Sequence, residues 1–241
     1  PPPLFTDTAT TETYTLNVVG SGQMCIRRQL PPGSGLLDLE LGRESELTHY
    51  DWITDTTVHD GSAWAYMKNS KYKTTTELVH YLIDNVSKNG YMLLNIGPKP
   101  DGTIPEEDKN LLEGIGNWLD VNGEAIFETE TWDQYGEGPT KMNEAGPFSD
   151  NRAKLIYTAK DFRFTTKDNF LYATALVWPS KDFTIESIYK LFDNEIERVE
   201  LLGSTDKVEW KHTRDGLHIT RPDNKPCEHA YSFKITRKEY L

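Results

Sequence analysis

The sequence predicts two folded units in tandem: an α/β unit built on a parallel sheet, then an all-β unit built as an antiparallel sandwich. Between Tyr72 and Gly123 a helix, a short apolar strand, a turn-rich loop and a second helix follow one another, which is the rhythm of a βα repeat. After Trp132 the helical spacing stops, and short β-branched and aromatic runs recur at the intervals of a sandwich. Gly136, Gly138, Pro139, Gly146 and Pro147 crowd residues 133–152 and mark a boundary there.

Each element has its own local signal. Residues 1–35 open with a proline run and continue Thr-rich. Their one apolar patch, Tyr14 to Val19, reads as a strand at most, and the segment is left unplaced. Thr74 precedes Glu77 by three residues, a capping box, and Leu78, Val79, Leu82, Ile83 and Val86 then form one helical stripe. Gly90 is the expected C′ residue. Tyr91–Ile96 reads as a fully buried strand, because it is short, continuous and apolar. Thr103 and Glu106 form a second capping box with Pro105 in the first turn. Leu111, Leu112, Ile115, Trp118 and Leu119 then face the core until Asn122-Gly123. The β-rich runs are Leu155–Thr158, Arg163–Thr165, Phe170–Trp178, Arg198–Leu202, Val208–Thr213, Leu217–Thr220 and Ala230–Ile235. Lys167-Asp168-Asn169 and Asp215-Gly216 supply turns.

Composition narrows the function. In 241 residues, 38 acidic side chains face 26 basic ones, a formal net charge of −12, so a phosphate backbone would be repelled and no nucleic-acid partner is expected. No apolar run is long enough to span a membrane, and no membrane partner is expected. The two cysteines, Cys25 and Cys227, form neither a CxxC pair nor a Cys/His cluster, which argues against zinc and leaves one long-range disulfide as an alternative. The chain starts at Pro1 with no signal-peptide pattern, and reads as a processed chain or a fragment. Asn85-Val-Ser87 matches a glycosylation sequon, but its place on an amphipathic helix argues against occupancy.

Several longer motifs occur in order. Asn85-Val-Ser-Lys-Asn-Gly-Tyr-Met-Leu-Leu-Asn-Ile-Gly-Pro-Lys-Pro-Asp-Gly-Thr-Ile-Pro105 is followed by Ile115-Gly-Asn-Trp-Leu-Asp-Val-Asn-Gly-Glu-Ala-Ile-Phe127. Trp52-Ile-Thr-Asp-Thr56 and Ser62-Ala-Trp-Ala-Tyr66 stand upstream, and Phe164-Thr-Thr-Lys-Asp168, Trp178-Pro179 and Val199-Glu-Leu-Leu-Gly203 downstream. Over roughly residues 36–241 the chain resembles the α-L-fucosidases of glycoside hydrolase family 29. The resemblance implies an α/β part followed by an all-β part: the end portion of a (β/α)8-type barrel at 36–140, joined to an antiparallel β-sandwich at 150–241. Such a barrel takes about 250 residues, so the chain reads as a C-terminal piece whose part-barrel leaves apolar surface uncovered.

The resemblance also implies a chemistry. A retaining glycosidase sets two carboxyl groups about 5–5.5 Å apart, one as nucleophile and one as acid/base. Glu40, twelve residues before Trp52, falls where the family carries the Glu of a Glu-Arg-Gly-like motif, with Leu41 here in the middle position. It is the candidate acid/base, and Asp55 is the second candidate. Asp7, in Phe5-Thr-Asp-Thr-Ala, does not resemble the family's Trp-x-Asp nucleophile strand. Trp64 and Trp52 are candidate walls for the apolar face and methyl group of fucose, and His59 a candidate hydroxyl donor. Core packing for the tryptophans and a loop position for the histidine are the plainer alternatives. No metal or cofactor is expected. The implied substrate is a fucosylated glycan, with a homo-oligomer or an upstream companion segment completing the site and a secreted, periplasmic or lysosomal location. The competing function is a non-catalytic module for carbohydrate contact or assembly.

Overall fold

A computed structural model describes residues 35–61, 63–142, 144–149 and 154–238. Cys25, Asp7 and the Tyr14–Val19 patch lie outside the described residues. Three parallel strands come first in space: β1 (Leu37–Asp38), β2 (Trp52–Thr57) and β3 (Gly90–Asn95), ordered β1-β2-β3. Helix α1 (Thr75–Ser87) connects β2 to β3, and α2 (Glu106–Asn122) follows β3. Eight further strands make two antiparallel sheets. β4 (Glu130–Glu137), β5 (Phe162–Lys167), β6 (Phe170–Ala175), β11 (Tyr231–Arg237) and β8 (Ile196–Leu201) form one, in the order β4-β5-β6-β11-β8. β7 (Phe183–Ile185), β10 (Gly216–Ile219) and β9 (Trp210–Thr213) form the other, in the order β7-β10-β9. Phe162, Phe164, Leu171, Val199, Phe233 and Ile235 of the larger sheet pack against Ile185, Leu217 and Ile219 of the smaller, which makes a sandwich with a dry core.

The α1 capping box forms as its spacing predicts. The Thr74 hydroxyl accepts from the Glu77 amide at 3.1 Å, and the Glu77 carboxylate accepts from the Thr74 amide at 2.7 Å. The end of the helix differs from expectation. Asn89, not Gly90, takes the left-handed conformation (φ +70°). Gly90 instead opens β3 directly against the Trp52 ring, where a Cβ would stand 2.4 Å from the indole. Close packing, not turn geometry, explains that glycine.

The second capping box does not form. Pro105 is the N-cap of α2, and Thr103 donates to the Asp101 carboxylate at 2.7 Å. In α2 Leu112 points outward, so the buried stripe is Leu111, Ile115 and Trp118. Leu155–Thr158 is not a strand; it crosses the helices as irregular chain, with Tyr157 and Leu155 in their apolar cluster. β4 and β7 are absent from the sequence reading: β4 carries too many polar residues to show a strand pattern, and β7 is only three residues long.

β3 is buried on one face only. Tyr91 is 53% and Leu93 58% exposed, and β3 is an edge strand among the described residues. Its other face packs against α1 and α2 around Leu78, Val79, Ile83, Ile115 and Trp118. That cluster also takes in Leu176 and Ala230 from the antiparallel half, so one apolar core crosses from helices to sandwich.

An ionic cluster crosses the same junction. Asp84 of α1 is fully buried; it accepts from Arg163 Nε at 2.6 Å and Lys88 Nζ at 2.8 Å, and faces Arg43 Nη1 at 3.6 Å. These cations hold its carboxyl well below the usual carboxylate range in spite of burial. Tyr135 lies over both Lys88 and Arg163, at 4.8 and 5.3 Å. Asn85, the sequon residue, is wholly buried, as its helix face predicts. Cys227 is a free thiol that accepts from Asn122 Nδ2 at 3.3 Å.

Candidate active site

The parallel sheet presents two chemically distinct faces. Trp52, Thr54 and Thr56 of β2 turn toward the helices and are buried. Ile53, Asp55 and Thr57 turn the other way, in register with Tyr91, Leu93 and Asn95 of β3. Asp38 of β1 pairs with Ile53 and therefore joins the same face.

Past Asp38 the chain continues beside β2, with the Leu39 amide on Ile53 O at 2.8 Å and the Leu41 amide on Asp55 O at 2.9 Å. It then turns sharply. Leu41 takes a left-handed conformation (φ +47°) while fully buried, and the Gly42 amide closes the turn on Leu39 O at 2.9 Å. A bulky residue held at positive φ is strained and persists only where its surroundings enforce it. Here residues 146–149 do so. The Phe148 amide donates to Glu40 O at 2.7 Å, the Gly146 amide to Arg43 O at 2.8 Å, and the Arg43 amide to Ser149 Oγ at 3.1 Å. Glu40 thus sits at the apex of a turn clamped from a segment a hundred residues away in sequence.

Asp38, Glu40 and Asp55 form one carboxylate group. The Asp38 and Asp55 carboxyls interact across the β1–β2 pair, and each has its Oδ1 buried with no hydrogen-bond partner. Burial, then the charges of Asp38 and Glu40, push the Asp55 pKa up to about 7. Burial also raises Asp38. Near neutral pH the pair is therefore poised to gain or lose one proton held between its two carboxyls. Asp38 was absent from the sequence-derived site; the alternation Asp38-Leu39-Glu40, which puts both acids on one face of an extended chain, was the available signal.

The shift has a measurable sign. An Asp with its folded pKa raised binds its proton in the native state between pH 4 and 7, where the unfolded chain has lost it. Its effect on stability is therefore a penalty that grows from pH 4 to pH 7 and then stays constant. Asp55→Asn is expected to raise the melting temperature at pH 8 and leave it nearly unchanged at pH 4, as read by calorimetry at both values; an equal change at both would refute the shared proton.

The other sequence-derived residues separate into two environments. Trp64 is partly exposed on the loop after β2, and that loop is pinned at two strand ends. Asn95 Nδ2 donates to Trp64 O at 2.9 Å and Thr57 Oγ1 to Ala63 O at 2.8 Å. Trp52 is fully buried, with its indole N–H on Lys88 O at 3.1 Å and Gly90 beneath it, so the structure places it in the core. His59 is also fully buried; its ring lies 4.8 Å from Tyr72, and neither ring nitrogen has a hydrogen-bond partner. The structure thus brings Asp38, Glu40 and Asp55 together and leaves Trp52 behind the sheet. Among the described residues no group of three or more His, Cys, Asp or Glu is arranged to hold a metal ion, and no helix is long and apolar enough to cross a membrane.

Comparison with known proteins bears on both halves. A family model described as "Alpha-L-fucosidase" matches residues 9–124, and one described as "Alpha-L-fucosidase C-terminal domain" matches residues 154–236. The first begins inside the segment left unplaced from sequence. Plasma alpha-L-fucosidase of Rattus norvegicus is 32% identical over 79% of this chain and 39% of its own length, and that of Pongo abelii 31% over 79% and 38%. The chain thus spans about two-fifths of the length of these curated relatives. The crystal structure of Thermotoga maritima alpha-fucosidase in complex with fucose superposes with a TM-score of 0.62 at 27% identity, covering 80% of this chain and 41% of that one. With both family models matched in order and the same two-part layout in the solved structure, the chain belongs to the α-L-fucosidase family of glycoside hydrolases.

Proposed function

We propose that this chain forms the acid/base side of a retaining α-L-fucosidase that removes terminal fucose from glycans. In this reading residues 36–140 are the last part of the catalytic (β/α) barrel and 150–241 the sandwich domain. The observation that carries it is the carboxylate group on the outward face of the parallel strands, where one acid holds a proton near neutral pH. Protonating a leaving glycosidic oxygen requires such a group. Glu40, fixed on its clamped turn beside this pair, is the acid/base; Asp55, whose pKa burial raises, is the second candidate. Trp64 on its pinned loop stands as a sugar-facing wall and His59 beneath that loop as its support.

Double displacement needs an opposing nucleophilic carboxylate, and in this reading it comes from strands that cover the exposed Tyr91 and Leu93. A companion segment or a second copy would supply them, and the resemblance implies a secreted, periplasmic or lysosomal setting. The relatives' name, plasma alpha-L-fucosidase, supports the substrate class.

Release of nitrophenol from nitrophenyl α-L-fucoside tests this, with the chain alone and with a polypeptide carrying the remaining barrel strands. Glu40→Gln is expected to lower kcat by about 10²-fold or more. The same loss in Asp55→Asn but not Glu40→Gln would transfer the role to Asp55. No turnover in either arrangement would refute the hydrolase reading and leave the non-catalytic module.

A further inference from the structure

A groove of about 670 Å³ opens in the antiparallel half, and none of its lining residues comes from the parallel sheet. That volume is the size of a small-molecule site. One wall is Trp132 of β4, fixed edge-on against Phe164 with ring centroids 5.1 Å apart. Tyr189 and Phe192 from the β7–β8 connection also line it, 49% and 64% exposed, an unusual investment of aromatic surface in water.

The polar lining is short of partners. Arg237 donates through Nη2 to Thr166 Oγ1 at 2.9 Å and Asp168 O at 3.3 Å, yet its Nε is buried and unpaired. The Nε2 of His212 is likewise buried and unpaired, with Nδ1 3.9 Å from Glu195. Burial lowers the His212 pKa, so at neutral pH its ring is uncharged. Asp133, Asp168 and Glu195 nearly balance Arg237 and Lys238 around the groove, so no strong field selects an anion or a cation.

Aromatic side chains lining one groove with donors and acceptors of nearly balanced charge match one ligand class. A pyranose has an apolar C–H face for the rings and hydroxyls that both donate and accept. We propose that this groove is a carbohydrate-binding site for a neutral pyranose unit of an oligosaccharide, separate from the carboxylate group on the parallel sheet. A hydroxyl seated there gives the Arg237 Nε–H the acceptor it lacks. The site stands whether or not the chain hydrolyses fucosides.

The test is NMR titration of the 241-residue chain with 2′-fucosyllactose, a neutral trisaccharide. Saturable shifts are expected at the Trp132 indole N–H and the Arg237 Nε–H. Tyr189→Ala and Phe192→Ala, which remove exposed side chains, should each weaken binding about tenfold with the melting temperature unchanged. Shifts confined to the parallel sheet, no saturable shift in the groove, or wild-type affinity in both variants would overturn the proposal.

Discussion

Replacing Asp84 by Asn is expected to lower the melting temperature by about 10 °C or more. The change keeps shape and volume but removes the only carboxylate described within contact of Lys88 and Arg163. Breaking a buried ion pair from one side costs about 3–5 kcal/mol, because the Lys88 and Arg163 charges stay buried without their counter-charge. In a domain of this size each kcal/mol is worth about 2–4 °C. The pH dependence has a definite sign. Asp84 has its pKa lowered in the folded state, so its contribution is complete above the unfolded value near 4 and is lost as pH falls toward the folded one. The gap between wild type and Asp84→Asn should therefore stay constant down to about pH 4 and narrow below it. Thermal unfolding from pH 7 down to pH 3 checks this, and a gap still unchanged at pH 3 would mean that Asp84 contributes by packing alone.

Trp118→Ala is expected to cost about 3–5 kcal/mol, the range for truncating a buried tryptophan. The indole is 2% exposed in the cluster that α1 and α2 share with Leu176 and Ala230, and its N–H donates to Ala230 O at 2.9 Å across the junction. Trp118→Phe separates the two contributions. It retains most of the apolar area but leaves the Ala230 carbonyl only the weaker Cys227 thiol donor at 3.3 Å, for about 0.5–1.5 kcal/mol. Denaturant titration followed by far-UV and near-UV circular dichroism should show one coincident transition for both variants. Two separated transitions would show that helices and sandwich unfold independently.

The parts of the fold that local patterns specify were legible in the sequence. The capping box at Thr74, the helical stripe of α1 and strands β5, β6, β8, β9, β10 and β11 follow from local sequence alone, since the residues that specify them lie within one element. The misreadings share a cause. Gly90 was assigned to a turn because its packing partner, Trp52, lies 38 residues away in sequence. β3 read as buried on both faces because an apolar run carries no record of what stands opposite it.

The site divides the same way. Glu40 and Asp55 were found through motif resemblance. Asp38 needed the strand register to bring it against Asp55. The turn that fixes Glu40 depends on Phe148 and Ser149, whose sequence neighbourhood resembles nothing but a linker. For the ionic cluster, the Asp84–Lys88 spacing of one helical turn was readable, but Arg163 arrives from another sheet.

The junction bears on how such a protein could be rearranged. Arg163 and Ala230 belong to the sandwich half, yet their partners Asp84 and Trp118 sit on the helices. A graft that moved residues 154–238 onto a foreign host would carry an orphaned guanidinium and an uncovered apolar seam with it. The two halves must therefore be inherited as one cassette, and a chimera would tolerate a splice only where it brings α1 and α2 along.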